Sequence, residues 1–243
     1  MKAMLARWRA APGAPPPGYR PGATAARVLA DLSATRDGAG GVSGANGANG
    51  ASGSNGANGA NGANGANGAN GANGANGANG ASGASGASGA NGTARLPNGV
   101  RVSATEQVAR QFLMHTVSVR IAVTARGPAA HGSARVLQTG WLRRTGVRTA
   151  PRPGCDPDFA RIVDALLAET ALADALRPVH LADCAIDAHD GCWTLTIVPY
   201  GGSEVVNRMP SFRRYVRLTG EQAAALSAAC AAFDRVLRGF LRR

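Results

Sequence analysis

The chain reads FLMHTVSVRIAVT over residues 112–124, and this is its strongest strand signal. Val117, Val119, Ile121 and Val123 alternate with residues that are mostly polar. Because successive side chains of a strand point to opposite faces, this period of two places one face in the core and the other in water. Antiparallel sheets commonly have one such solvated face. The stretch therefore predicts a half-buried strand of an antiparallel sheet.

Weaker strand signals lie on both sides of this stretch. Val100 and Val102 alternate with polar residues, and an Asp190-Gly191 pair between two apolar runs is typical of a hairpin turn. The expected neighbouring strands are residues 99–103, a bent strand over 134–142 and 147–149, the hairpin arms 181–186 and 192–198, and a final strand over 215–218.

Three helices are expected around this sheet, over residues 24–33, over 158–176, and from Thr219 towards the C-terminus. Asp156 and Pro157 supply a cap and a first-turn proline for the second helix. Thr219 and Gln222 have the spacing of a capping box for the third. The chain is therefore predicted to be an α+β protein, with an antiparallel sheet of about five strands covered by helices on one face.

Residues 44–92 repeat glycine, alanine and asparagine, with serine sometimes replacing asparagine. The repeat has no charge, aromatic ring or large apolar side chain, so it gains little by burial against the backbone entropy of ordering. It is predicted to be a disordered insert. Glycine at every third position suits a collagen triple helix, but the repeat lacks proline. A glycine-rich bundle of polyproline II helices is the other alternative.

The predicted organisation has four parts. A flexible, basic and proline-rich arm spans 1–22, the N-terminal helix of the main domain spans 23–37, the low-complexity insert spans 38–98, and the main domain spans 99–243. Closure entropy grows slowly with loop length, so one domain can tolerate a long insertion. We therefore expect the residues on both sides of the insert to share one core.

The chain has 243 residues, a formal net charge of +12 and a sequence pI near 11.2. All its basic residues except Lys2 are arginine, which is typical of a GC-rich bacterial genome and also suits anionic partners. Neither a membrane-spanning stretch nor a secretory signal is recognisable. A cytoplasmic location is therefore expected, with Cys155, Cys184, Cys192 and Cys230 as reduced thiols.

The candidate metal ligands fall within one hairpin. His180, Cys184, His189 and Cys192 are ligand types that zinc prefers, but their spacing matches no closed zinc motif, and we interpret them as ordinary hairpin residues. The sequence has neither a glycine-rich phosphate loop nor a serine nucleophile elbow. No catalytic residue, metal or cofactor is therefore assigned, and the protein is expected not to be an enzyme.

Two arginine clusters are candidates for binding. The first holds Arg148 with two neighbours, and the second, which includes Arg208 and Arg217, has aromatic residues interleaved. The complete set of candidate binding residues is Gln111, His115, Arg143, Arg144, Arg213, Arg214 and Tyr215. The first hypothesis is a non-enzymatic protein whose arginine-rich surface engages an anionic or protein partner. Arginine with aromatic residues is also typical of nucleic-acid binding, and Gln111 with His115 would be the site of an alternative small enzyme.

Five segments carry a resemblance to a known family. They are GYRPG at 18–22, EQVARQFLMH at 106–115, LRRTG at 142–146, PYGGSEVV at 199–206 and FRRYVRL at 212–218. The chain resembles an uncharacterised family of proteobacterial proteins classed as a domain of unknown function, which implies no activity. In its predicted order of helices and strands it is also similar to type III secretion chaperones, which are usually acidic. That likeness would imply a protein that holds partly unfolded clients.

Overall fold

A computed structural model describes residues 15–16, 18–37, 92–110, 114–139, 146–208 and 210–242. The described helices are α1 (Ala23–Asp31), α2 (Pro157–Ala168), α3 (Thr170–Leu176) and α4 (Gly220–Phe240). The described strands are β1 (Thr35–Arg36), β2 (Gly92–Arg95), β3 (Arg101–Arg110), β4 (Met114–Arg126), β5 (Gly132–Thr139), β6 (Gly146–Pro151), β7 (Leu181–His189), β8 (Cys192–Pro199), β9 (Ser203–Arg208) and β10 (Ser211–Val216).

All ten strands belong to one antiparallel sheet, whose main path runs β1-β2-β3-β4-β8-β7-β5-β6. The long strand β4 joins the two parts of this sheet. β8 pairs with the half of β4 from Ile121 to Arg126, and β9 pairs with the other half, from Met114 to Val117. β10 then pairs with β9. The sheet therefore branches at β4, and β9 and β10 form a separate wing.

The four helices contribute to a single hydrophobic core together with the inward-facing strand residues. The ring of Phe159 on α2 stacks on Trp193 of β8, with centroids 5.4 Å apart, and the Trp193 indole donates to the Pro128 carbonyl at 2.9 Å. Aromatic stacking of this kind adds to area burial. Because α1 contributes Val28 and Leu29 to the same core, it packs on the sheet as expected.

Several local predictions are confirmed. The Asp156 carboxylate accepts the Phe159 N–H at the start of α2, with Pro157 in the first turn. Thr219 and Gln222 form a reciprocal capping box at the start of α4, at 3.1 and 3.2 Å. Asp190 and Gly191 both have positive φ, 48° and 75°, as a tight hairpin turn requires.

The predicted strand count was wrong, since the described residues alone form a sheet of ten strands and not about five. The strands that were not predicted are mostly polar. β9 and β10 read SEVVNR and SFRRYV, and β2 reads GTAR, within the range assigned to the insert. The bent strand is two strands, β5 and β6. The buried residues of β9 are Ser203, Glu204 and Val206, and β2 buries the small Ala94, so these sequences lack the apolar alternation on which the prediction relied.

The single helix predicted over 158–176 is two helices that meet at Glu169, whose backbone is extended. Leu166 lies before the break, and Leu172 and Leu176 lie after it, and all three are fully buried. In a continuous helix, Leu166 and Leu172 would point about 120° apart. The break therefore turns both helices towards the same core. Within the described residues, no helix is long and apolar enough to cross a membrane.

Candidate binding surface

The N-terminus of α1 is held by a carboxylate from the sheet. Glu106 on β3 is fully buried, and its carboxylate accepts the Gly22 N–H at 2.9 Å, the Ala25 N–H at 2.8 Å and the Tyr19 hydroxyl at 2.5 Å. These two amides are among the donors that a helix leaves unsatisfied at its start, and negative charge there is favoured by the helix dipole. Glu106 thus caps α1 from another part of the chain.

A second carboxylate links the same helix to the β9–β10 wing. Glu204 on β9 accepts the Thr24 hydroxyl at 3.0 Å and pairs with Arg213 Nε of β10 at 3.0 Å. Arg213 also donates to the Gly18 carbonyl at 2.9 Å. Arg213 therefore connects β9, β10 and the segment that leads into α1.

The C-terminal end of α1 is tied to the wing by Asp31. Its carboxylate accepts the Tyr215 hydroxyl at 2.9 Å, Arg217 Nε at 2.9 Å and the Leu218 N–H at 3.2 Å. Burial and the Asp31 carboxylate raise the pKa of Tyr215 well above its ordinary value, as burial and Glu106 do for the pKa of Tyr19. Both tyrosines therefore remain hydrogen-bond donors over the physiological pH range.

In these ion pairs the carboxylates lie inside and the guanidinium groups lie outside. Glu204 and Asp31 are each 9% exposed, whereas their partners Arg213 and Arg217 are 40% and 80% exposed. Positive charge therefore reaches solvent while the compensating negative charge does not. The asymmetry gives this side of the protein a basic surface, even though the charges are paired.

Three more exposed arginines lie on the same elements or next to them: Arg20 just before α1, Arg27 on α1 and Arg214 on β10. Within the described part of the chain, none of them forms an ion pair. The Arg27 guanidinium lies 5.5 Å above the centre of the Tyr215 ring, in a cation–π contact. We call exposed residues of α1, of the segment just before it and of both faces of β10, together with the residue after β10, the α1–β10 surface. It consists of Arg20, Arg27, Phe212, Arg213, Arg214 and Arg217.

The α1–β10 surface includes the edge of a sheet. Among the described strands, β10 pairs only with β9, so its other edge carries unpaired backbone groups. Its residues from Ser211 to Arg214 are exposed, and Phe212 is 45% exposed. An edge strand of this kind can add a further strand from another chain.

The predicted binding residues are only partly brought together. Arg213, Arg214 and Tyr215 lie together on β10, with Arg214 pointing to the face opposite the other two. His115 is buried and lies on β4 opposite Val206 of β9 and Arg110 of β3, facing the interior. Arg148, from the other arginine cluster, is on β6, at the far end of the strand order. Gln111, Arg143 and Arg144 lie outside the described residues.

The candidate metal ligands are spread over the β7–β8 hairpin. Cys184 is buried, whereas His180, His189 and Cys192 are exposed. In the described ranges, no three metal-binding side chains are grouped so that they would hold an ion. Burial raises the pKa of the Cys184 thiol, and it raises that of Cys230 on α4 to about 12. Both buried thiols are therefore protonated at neutral pH.

The sequence interpretation missed the residues that hold the α1–β10 surface together, namely Tyr19, Glu106 and Asp31. One signal for Glu106 was available. It takes an inward position between Ala104 and Val108 on β3, where a charged side chain needs a partner. The partners, however, are backbone amides of a helix more than 80 residues away in sequence, and no local pattern encodes that contact.

Comparison with known proteins gives two family matches. Residues 80–237 match a family described as "Protein of unknown function (DUF3156)". Residues 36–95 match the description "Collagen triple helix repeat (20 copies)", which reflects the glycine period. Arg36, at the start of this second match, is the Cα partner of Ala94, next to its end, so the structure places both ends in the β1–β2 ladder. No curated protein and no solved structure matches the chain.

Proposed function

We propose that this protein, which belongs to the DUF3156 family, is a non-enzymatic binding protein. The family match covers more than half of the chain. The protein's arginine-rich α1–β10 surface engages an extended, acidic segment of a partner protein. One observation carries this proposal. The buried carboxylates Glu204 and Asp31 hold Arg213 and Arg217 in place while leaving these guanidinium groups exposed. Arginines fixed in this way lose less entropy when a carboxylate binds.

The geometry of β10 supports an extended ligand. Its unpaired edge offers backbone donors and acceptors to an incoming strand, and its side chains alternate between the two faces of the wing. Arg213 and Tyr215 point to the face that α1 covers, and Phe212 and Arg214 point to the opposite face. An added acidic strand would therefore meet an arginine on each face and an exposed phenyl ring on one of them.

A protein partner is favoured over nucleic acid by the state of the aromatic residues. Single-stranded nucleic acid is bound by stacking of bases on open aromatic rings. Tyr215 is half-buried, its hydroxyl is bonded to Asp31 and its ring is occupied by Arg27. Arg27 therefore covers one face of this ring, and among the aromatic residues of this surface only Phe212 is exposed.

The proposal can be tested by fluorescence anisotropy with a labelled 12-residue peptide that repeats Glu-Glu-Val, so that glutamates fall on both faces of an added strand. We expect binding that weakens as salt rises, since exposed charges are screened over about 10 Å at 0.1 M. Arg214→Glu should weaken binding about tenfold or more, because a charge-assisted hydrogen bond contributes roughly 1.5–3 kcal/mol and tenfold is about 1.4 kcal/mol. The matched control is Arg148→Glu, the same charge change at an exposed position of β6.

Two comparisons make the result decisive. A peptide with glutamine in place of glutamate tests the role of charge, and a single-stranded oligonucleotide of equal charge tests the nucleic-acid alternative. Equal binding of the glutamine peptide, or equal weakening by Arg148→Glu, would reject recognition at the α1–β10 surface. Tighter binding of the oligonucleotide, lost in Arg214→Glu, would assign the surface to nucleic acid instead.

A further inference from the structure

A second surface lies on the outer side of α4. A groove of about 770 Å³ runs along this helix between its start at Gly220 and Arg235, and the turn at Pro97 and Asn98 flanks it. Five of the eight α4 residues that line the groove are alanine, and two of these, Ala224 and Ala228, are exposed. Small side chains allow the axis of a second helix to approach to about 8 Å, the short end of the usual range.

The charges at the two ends of this alanine face are complementary. Glu221 precedes Ala228 by seven residues, and Arg235 follows it by seven. Seven residues are close to two turns, so all three side chains lie along one stripe of the helix. Both charged residues are exposed, and within the described residues neither forms an ion pair. Each charge therefore remains available to a partner.

We propose that a second copy of this chain docks on this face, with the two α4 helices antiparallel and related by a two-fold axis at Ala228. That axis places Glu221 of each copy opposite Arg235 of the other, so two ion pairs form. Ala228 lies opposite its own symmetry mate. An isologous interface requires a surface that is complementary to itself, and this stripe is.

The exposed face of α4 limits the contact area of the dimer. The stripe from Glu221 to Arg235 is about 21 Å long at 1.5 Å per residue, and a helix is about 10–12 Å wide. The contact therefore covers a few hundred Å² on each copy, which is less than the roughly 800 Å² of a standard interface. We therefore expect a weak and reversible dimer.

The test is sedimentation velocity of the full chain from about 5 to 500 μM. We expect a shift from monomer to dimer over this range. Glu221→Arg and Arg235→Glu should each weaken the dimer about fivefold or more, whereas the double swap should restore it. Rescue by the double swap requires that these two residues meet across the interface, and thermal denaturation of each variant checks that it folds.

Site-specific cross-linking supplies an independent readout. In a Cys155→Ser, Cys192→Ser background, Ala228→Cys should form a disulfide dimer under mild oxidation, because the two-fold axis brings the two thiols together. Ala171→Cys, which is exposed beside the groove on α3, is the control and should remain monomeric. A monomer at every concentration, a trimer, or a dimer that the double swap does not restore would overturn the proposal.

Discussion

Replacing Glu106 with alanine tests how α1 is held on the sheet. The change leaves the amides of Gly22 and Ala25 and the hydroxyl of Tyr19 without their acceptor. Loss of a helix cap costs about 1 kcal/mol, and loss of a hydrogen bond to a charged group costs about 1.5–3 kcal/mol. We therefore expect the free energy of unfolding to fall by about 3 kcal/mol, which lowers the Tm by roughly 6–12 °C for a domain of this size.

Urea denaturation gives this free energy, and amide hydrogen exchange locates the effect. Exchange should accelerate along α1 before it does in β7 or β8, because α1 is held by few side chains and the central strands by the full core. The matched control is Gln107→Ala, the next residue on β3, which points to the opposite face. A loss below about 0.5 kcal/mol for the Glu106 variant, or equal losses for both variants, would refute the capping role.

Three further outcomes are expected. Gly202→Ala should destabilise the fold by about 1–3 kcal/mol, because the φ of Gly202 is +82° and an added Cβ would lie 2.7 Å from a Val28 methyl group. Urea titration measures the change, and an unchanged unfolding midpoint would contradict this. The folded state raises the pKa of Tyr19 and Tyr215, so these tyrosines ionise at lower pH in the unfolded chain than in the folded one. The stability that is present below about pH 10 should therefore be lost above it, and the loss should be smaller in Tyr19→Phe. Urea midpoints from pH 8 to 11 measure the loss, and a flat profile would refute it. Deleting residues 42–88 should raise stability by about 1–2 kcal/mol through the shorter loop, and a lower Tm would show that the tract supports the fold.

Local signals in the sequence predicted the helix starts and the best strand. Asp156 with Pro157, and Thr219 with Gln222, encode their caps within four residues, so neighbouring letters suffice. The alternation in β4 likewise reports burial on one face directly. Such features depend on short-range chemistry, so they could be predicted without knowledge of the rest of the fold.

The wing of β9 and β10 was harder to predict, because its order comes from contacts distant in sequence. Arg213, Tyr215 and Arg217 are fixed by residues 184 or more positions earlier or by the neighbouring strand. In sequence they form an arginine cluster, which codon usage alone would also produce. The structure adds what the sequence does not contain, namely that the guanidinium groups of Arg213 and Arg217 are held by carboxylates.

The central claim, that the basic edge of β10 receives an acidic strand, is tested most directly by amide hydrogen exchange of the whole chain with and without the glutamate–valine peptide. The account predicts slower exchange within Ser211–Val216 on addition of the peptide, with β6, the strand at the far end of the sheet, unchanged. Protection confined to β6 or to α4, or unchanged exchange in β10 while the peptide is bound, would contradict it.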